Sequence, residues 1–254
     1  MLLAACGFVF LASVYAIIER YQEGREQKKF HESVKHQYLA DTEPDRRGEL
    51  NAATPTPTLQ PSSTAEPELL PGFEQLLQIN EETVGWLSVP NTNIEYPVVQ
   101  TKDNSFYLEH DFKKEKAENG AVFMDYRNSP DAGDKHNILY GHYTKDGTIF
   151  TELRAYRQEA FLRRNPVLTF NTLHEEGQWE IFSVYVTDTK FYYIQTDFRS
   201  KRDFADFAKT LKEKSIYSLD VEITGEDRIL TLSTCAYDYD DARLVIHAKR
   251  VNSP

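Results

Sequence analysis

The chain has 254 residues, 40% of them hydrophobic and 27% charged, with a formal net charge of −11 at pH 7. That length holds one or two domains, and the acidic balance excludes a nucleic-acid partner, because phosphate binding needs clustered Lys and Arg.

Leu2 to Ile18 is an unbroken run of apolar and small residues, near the lower length limit for a membrane span, and Glu19 and Arg20 end it. No small-residue cleavage site follows, so residues 1–18 read as a retained signal anchor rather than a removed signal peptide. No Lys or Arg precedes the run, whereas Arg20, Arg25, Lys28 and Lys29 follow it. Read literally, the positive-inside rule puts the C-terminal side in the cytoplasm. Either the native start lies upstream and carries basic residues, or the rule misleads here. Leu3-Ala-Ala-Cys6 looks like a lipoprotein box, but there the apolar run precedes the cysteine; here it follows, and Cys6 reads as a residue of the span.

Residues 19–40 are polar and helix-permissive, a stalk. Residues 41–71 carry the Pro-, Thr- and Ser-rich run from Ala52 to Pro67, which has too little bulky apolar surface to fold. It reads as an extended spacer of about 3.1 Å per residue, and residues 72–254 as the folded domain.

Within that domain Phe73 to Ile79 predicts a short helix. Val84–Val89 and Ile94–Val99 predict strands around the turn Pro90-Asn-Thr-Asn93. Ser105 to His110 reads as a helical turn, Gly120–Met124 and His136–His142 as strands, and Thr148 to Phe161 as one or two helices. Pro166–Asn171, Gln178–Thr189 and Phe191–Gln195 read as further strands, the last two as a pair. One strongly amphipathic helix spans about Ser200 to Ser215, with Phe204, Phe207, Ala208 and Leu211 at helical spacing. Many short strands with few helices predict a closed or sandwich-like β domain.

The stretch from Arg228 to Cys235 alternates as a strand, with Leu230 and Leu232 on the side expected to face a core. The opposite side, Thr231, Ser233 and Cys235, is small and polar, and suits an open groove. An acidic turn follows, and then a second strand from Arg243 to Lys249. Such a hairpin brings Cys235 and Arg243 to one end of a sheet, where a guanidinium can stabilise a thiolate and hold an oxyanion. With Cys6 in the span, Cys235 has no partner within the chain, which invites a catalytic reading. A thiol nucleophile needs a proton acceptor. His31 and His36 lie in the stalk, His110 and His174 in polar loops, and His247 inside the last strand, where it serves packing. His142 follows Gly141 where a strand meets a loop, the position binding residues favour. His136 and His142 lack metal-ligand spacing, and Asp238, Asp240 and Asp241 read as a solvated turn rather than a cation site. No phosphate loop and no nucleophile elbow occurs, and no cofactor is expected.

Thr231-Leu-Ser-Thr-Cys235, with Arg243 opening the next strand and Asn137-Ile-Leu-Tyr-Gly-His142 upstream, resembles the sortases. Asp146-Gly-Thr-Ile-Phe150 and the helical segment from Asp197 to Tyr217 look most like class B. The resemblance covers roughly Phe73 to Val251. It implies a mostly β fold: an eight-stranded barrel with N-terminal helices and a long helix inserted before the last strands. It also implies a membrane-anchored cysteine transpeptidase on the outer surface of Gram-positive bacteria. Cys235 would attack the Thr carbonyl of an LPxTG-like sorting signal, His142 would act as general acid and base, and Arg243 would hold substrate and oxyanion. Thr234 and Ser233 are further substrate-binding candidates. The implied partners are surface proteins bearing the signal, and an amine of a peptidoglycan precursor or of a pilin lysine.

Overall fold

The computed structural model describes residues 14–15, 24–42, 67–236 and 238–251. The expected membrane span and spacer therefore lie almost wholly outside the described residues. Among these, no helix is long and apolar enough to cross a membrane. Residues 24–42 are helical (α1) and belong to a separate unit from the domain that follows.

That domain opens with helix α2 (Phe73–Ile79) and eight strands: β1 (Thr83–Ser88), β2 (Glu95–Val99), β3 (Val122–Met124), β4 (His136–Tyr140), β5 (Val167–Thr172), β6 (Gln178–Thr187), β7 (Ile229–Cys235) and β8 (Arg243–Arg250). They close into a barrel in the order β1-β2-β3-β4-β7-β8-β6-β5. The mostly β, eight-stranded barrel expected from the sequence is the fold observed. A 3-10 stretch (Thr151–Arg157) and helix α3 (Glu159–Arg164) join β4 to β5, and helix α4 (Lys201–Glu213) joins β6 to β7.

The barrel interior is filled by one side of each strand: Leu87, Val98, Met124, Leu139, Leu168, Val184, Leu230, Leu232 and Ile246 are all at or near zero exposure. Burying such side chains is the main favourable term in the fold, at about 1.5–3 kcal/mol each. A second apolar cluster lies outside the barrel wall. There α4 lays Phe204 and Leu211 with Tyr193 and Val221 against Phe182, Tyr185, Ile229 and Val245. The helix starts where Ser200 Oγ accepts from the Asp203 N–H at 3.1 Å, a cap of a kind contributing about 1 kcal/mol.

This second cluster corrects one expectation. Leu230 and Leu232 do face the barrel core, but the side carrying Ile229, Thr231 and Ser233 is covered as well, and only Cys235 at the strand end is partly exposed. A directed hydrogen-bond chain runs beneath the cover. The Gln195 carbonyl can only accept, so His136 Nδ1 donates to it at 2.6 Å. His136 Nε2 then accepts from the Thr231 hydroxyl (2.6 Å), which accepts from His247 Nδ1 (2.6 Å), whose Nε2 accepts from the Tyr185 hydroxyl (2.8 Å). Every group is paired only when both rings are neutral. Burial enforces that state: it pushes His136 down to about 4, and it drives His247 well below the ordinary histidine value, to which repulsion between the two rings, were both protonated, adds.

A second correction concerns Phe191–Gln195, which is irregular chain rather than a strand. Two of its carbonyls are taken by side chains instead of a ladder. Ile194 O accepts from the Arg127 guanidinium (3.0 Å) and Gln195 O from His136. Arg127 is itself fixed by a two-pronged pair to fully buried Asp125. Burial alone would raise the Asp125 carboxyl; hydrogen bonds from Arg127 and Tyr140 outweigh it and hold the group below its usual range.

Candidate active site

Two ladders bring the predicted residues together. β4 runs parallel to β7 with Tyr140 opposite Ser233, so two residues further on His142 stands level with Cys235. The Gly141 N–H continues the pairing onto Ser233 O at 3.3 Å. β8 returns antiparallel with Arg243 directly opposite Cys235, and β6 places Thr187 on the other side of Arg243. Cys235, His142 and Arg243 therefore converge on one end of the barrel although 93 residues separate His142 from Cys235 (235 − 142).

His142 is held from both sides. At Gly141 a Cβ would lie 2.8 Å from the Phe150 ring and 2.9 Å from Ile149, so only glycine lets the chain turn there. Beyond the histidine, the Phe150 N–H returns to His142 O at 3.0 Å, and Tyr143 bridges Ile149. Thr144 closes the loop through Thr148 O (2.9 Å) and Thr151 Oγ1 (2.8 Å). Asp146 accepts from the Thr148 hydroxyl at 2.7 Å. Ile149 pays a local strain, a β-branched residue at φ 54°, and its N–H is taken by the buried Tyr96 hydroxyl at 2.9 Å.

One ring nitrogen of His142 has a fixed partner. Nε2 lies 2.8 Å from the Leu108 carbonyl, which can only accept, so Nε2 carries a proton. The other ring nitrogen, Nδ1, is the one left to accept from a thiol. The His142–Cys235 hydrogen bond draws the Cys235 thiol below its usual range, and the Arg243 charge adds to this, while burial and Asp241 oppose it. The same bond, with the Leu108 carbonyl, draws His142 above its ordinary value against burial. Both shifts favour thiolate and imidazolium. A thiolate in reach of an imidazolium and a guanidinium is a nucleophile with a proton donor and an anion-stabilising cation beside it.

The two remaining candidates sit elsewhere. Ser233 is 4% exposed and its hydroxyl is bonded to Tyr193 at 2.8 Å. Thr234 points to the barrel side of β7; its hydroxyl is enclosed and, among the described residues, has no hydrogen-bond partner. Asp238 in the acidic turn is paired with Arg157 through both oxygens (2.7 and 3.1 Å), which ties the β7–β8 connection to the 3-10 stretch. Among the described residues no group of three or more His, Cys, Asp or Glu is placed to hold a metal. The Leu108 carbonyl, Tyr193 and the Asp125–Arg127 pair escaped the sequence reading. A backbone acceptor leaves no residue signal, and the Asp-x-Arg spacing is too common to single out.

Comparison with known proteins agrees with this geometry. The sortase domain family matches residues 87–251. Sortase B of Listeria monocytogenes is 44% identical over 181 residues, covering 70% of this chain and 74% of that protein. The crystal structure of sortase B from Bacillus anthracis in complex with AAEK2 superposes with a TM-score of 0.76 at 38% identity, over 91% of this chain and 98% of that one. A Staphylococcus aureus sortase B–substrate complex superposes with a TM-score of 0.77 at 32% identity, over 92% of this chain and all of that one. With the barrel, the inserted helix and the cysteine–histidine–arginine convergence in place, the chain belongs to the sortase family, in its class B branch, and is a cysteine transpeptidase.

Proposed function

We propose that this chain cleaves an LPxTG-like sorting signal after its threonine and transfers the acyl group to an amine of a peptidoglycan precursor. The observation that carries the reading is the convergence at one barrel end of His142, level with Cys235 across β4 and β7, and Arg243, directly opposite Cys235 across the hairpin. The Cys235 thiolate attacks the threonine carbonyl, and the C–S bond forms as the carbonyl electrons move onto oxygen. The Arg243 guanidinium stabilises that oxyanion with a charge-assisted hydrogen bond. As the C–N bond breaks, the leaving amine takes the proton from imidazolium His142. An incoming amine then attacks the thioester and gives its proton to neutral His142, and the C–S bond breaks to restore the thiolate. The thioester divides one difficult amide exchange into two easier steps.

In the same reading the domain works outside the cell, tethered by residues 1–18, and its partners are surface proteins carrying the signal. The acceptor is the cell-wall amine or, as the second option, a pilin lysine. The test is intact mass of the soluble domain after incubation with a library of sorting-signal peptides, with and without amine acceptors. The expected product is an adduct on Cys235 equal to the peptide up to its threonine, discharged faster by amine than by water. Cys235→Ala forms none while keeping its fold. Discharge by water at the same rate with or without amine would reject the transfer step.

A further inference from the structure

We propose that the turn Phe106–Leu108 is a positioning element for the base: the Leu108 main-chain carbonyl fixes the tautomer of His142. This rests on the reading of His142 as general acid and base. In a nucleophile–histidine pair a third group normally orients the imidazole. Among the described residues no carboxylate hydrogen-bonds His142; its Nε2 meets the Leu108 carbonyl at 2.8 Å.

The carbonyl is built into place. Tyr107, 1% exposed, anchors the turn from below: its hydroxyl donates to Glu82 (2.6 Å) and accepts from Asn80 (2.8 Å). Asp103 caps the turn from above, its Oδ1 accepting from the Ser105 N–H and hydroxyl and the Phe106 N–H (2.7, 2.6 and 2.9 Å). The neighbouring carbonyls are engaged. Phe106 O meets the Glu109 N–H and His110 Nδ1, Tyr107 O accepts from Ala121, and Glu109 O accepts from Ala117. Leu108 O is the one turned to the histidine. Gly120 presses on this point at φ +59°: a Cβ there would collide with the Tyr107 carbonyl and lie 2.9 Å from the Leu108 oxygen.

A carbonyl suits this task in a particular way. It accepts the Nε2 proton in both the neutral and the charged ring, so Nδ1 remains the nitrogen that exchanges a proton with the thiol and the amine. Being neutral, it does this without the strong pull on imidazolium that a carboxylate would exert.

The experiment is nitrogen-15 NMR of the His142 ring in the wild-type domain, with Gly120→Ala and Asp103→Asn as variants. The expected wild-type spectrum shows the Nε2–H tautomer in the neutral ring. In Gly120→Ala the tautomers mix, the His142 titration moves to lower pH, and kcat for peptide transfer falls about tenfold with KM little changed. Asp103→Asn, a milder change away from the ring, shifts the same three quantities in the same direction by less. An Nδ1–H tautomer in the wild type would overturn the proposal, and so would mixed tautomers in a folded variant with unchanged kcat. Full activity of His142→Ala would reject the underlying role of the histidine instead, and that result is read separately from the tautomer.

Discussion

Thr231→Val isolates the buried chain beneath β7. The two side chains have nearly the same shape, so packing is kept and only the hydroxyl is lost. That hydroxyl makes two 2.6 Å hydrogen bonds, one to each fully buried histidine, His136 and His247. Its removal leaves two enclosed ring nitrogens without partners, each costing about 1–3 kcal/mol. The expected loss is about 4 kcal/mol, which for a domain of this size lowers Tm by roughly 8–16 °C. Thr231→Ser keeps both bonds and loses one methyl, for about 1 kcal/mol. Urea unfolding at pH 7.5, followed by far-UV circular dichroism, measures both variants. If valine and serine cost the same, or valine costs less than about 1 kcal/mol, the hydroxyl is not the keystone of the chain and the directional reading of it is wrong.

Three further outcomes follow from the same geometry. Because His136 is held at about 4 against about 6.5 in the unfolded chain, the unfolded state binds the extra proton between these values. The stability contributed by His136 is complete above pH 6.5 and is lost as pH falls toward 4, at about 1.4 kcal/mol per pH unit, with His247 adding in the same direction. A urea midpoint that does not fall between pH 7.5 and 5 would contradict this. Arg243→Lys keeps the charge opposite Cys235 but loses the fork, and kcat/KM for peptide transfer is expected to fall at least about tenfold; near-normal turnover would remove Arg243 from the oxyanion role. Gly141→Ala drives a methyl into Phe150 and Ile149, displacing His142, and a loss of about 100-fold in turnover is expected for a shift near 1 Å. Unchanged turnover in a folded Gly141→Ala domain would show that the turn tolerates the side chain.

The strands were largely legible because one side of each fills the barrel, and that alternation is written in residues such as Leu230 and Leu232. Gly141 before His142 and the short Cys235–Arg243 hairpin marked the convergence, since both are local features. What escaped depends on distant partners. Phe191–Gln195 has the aromatic and branched composition of a strand, but Arg127 and His136 claim its carbonyls from more than 55 residues away. The polar side of β7 looked like a groove because Thr231 and Ser233 are small. Nothing local announces that His136, His247 and Tyr193 will satisfy their hydroxyls under the cover of α4.

Because β5 closes back onto β1, every strand of the barrel has a neighbour on both sides. Where a strand is paired on both sides, as β7 is between β4 and β8, no row of N–H and C=O groups is left free, so an extended peptide cannot be gripped there by adding itself as a further strand, as many peptide-binding domains do. Beside Cys235, recognition therefore falls to side chains and connecting segments at the barrel end where β4 and β7 finish and β8 begins. Peptide preference and barrel integrity are thus separable. The connections around Cys235 can be rewritten to accept another signal while the strands that hold the thiol, the imidazole and the guanidinium stay untouched.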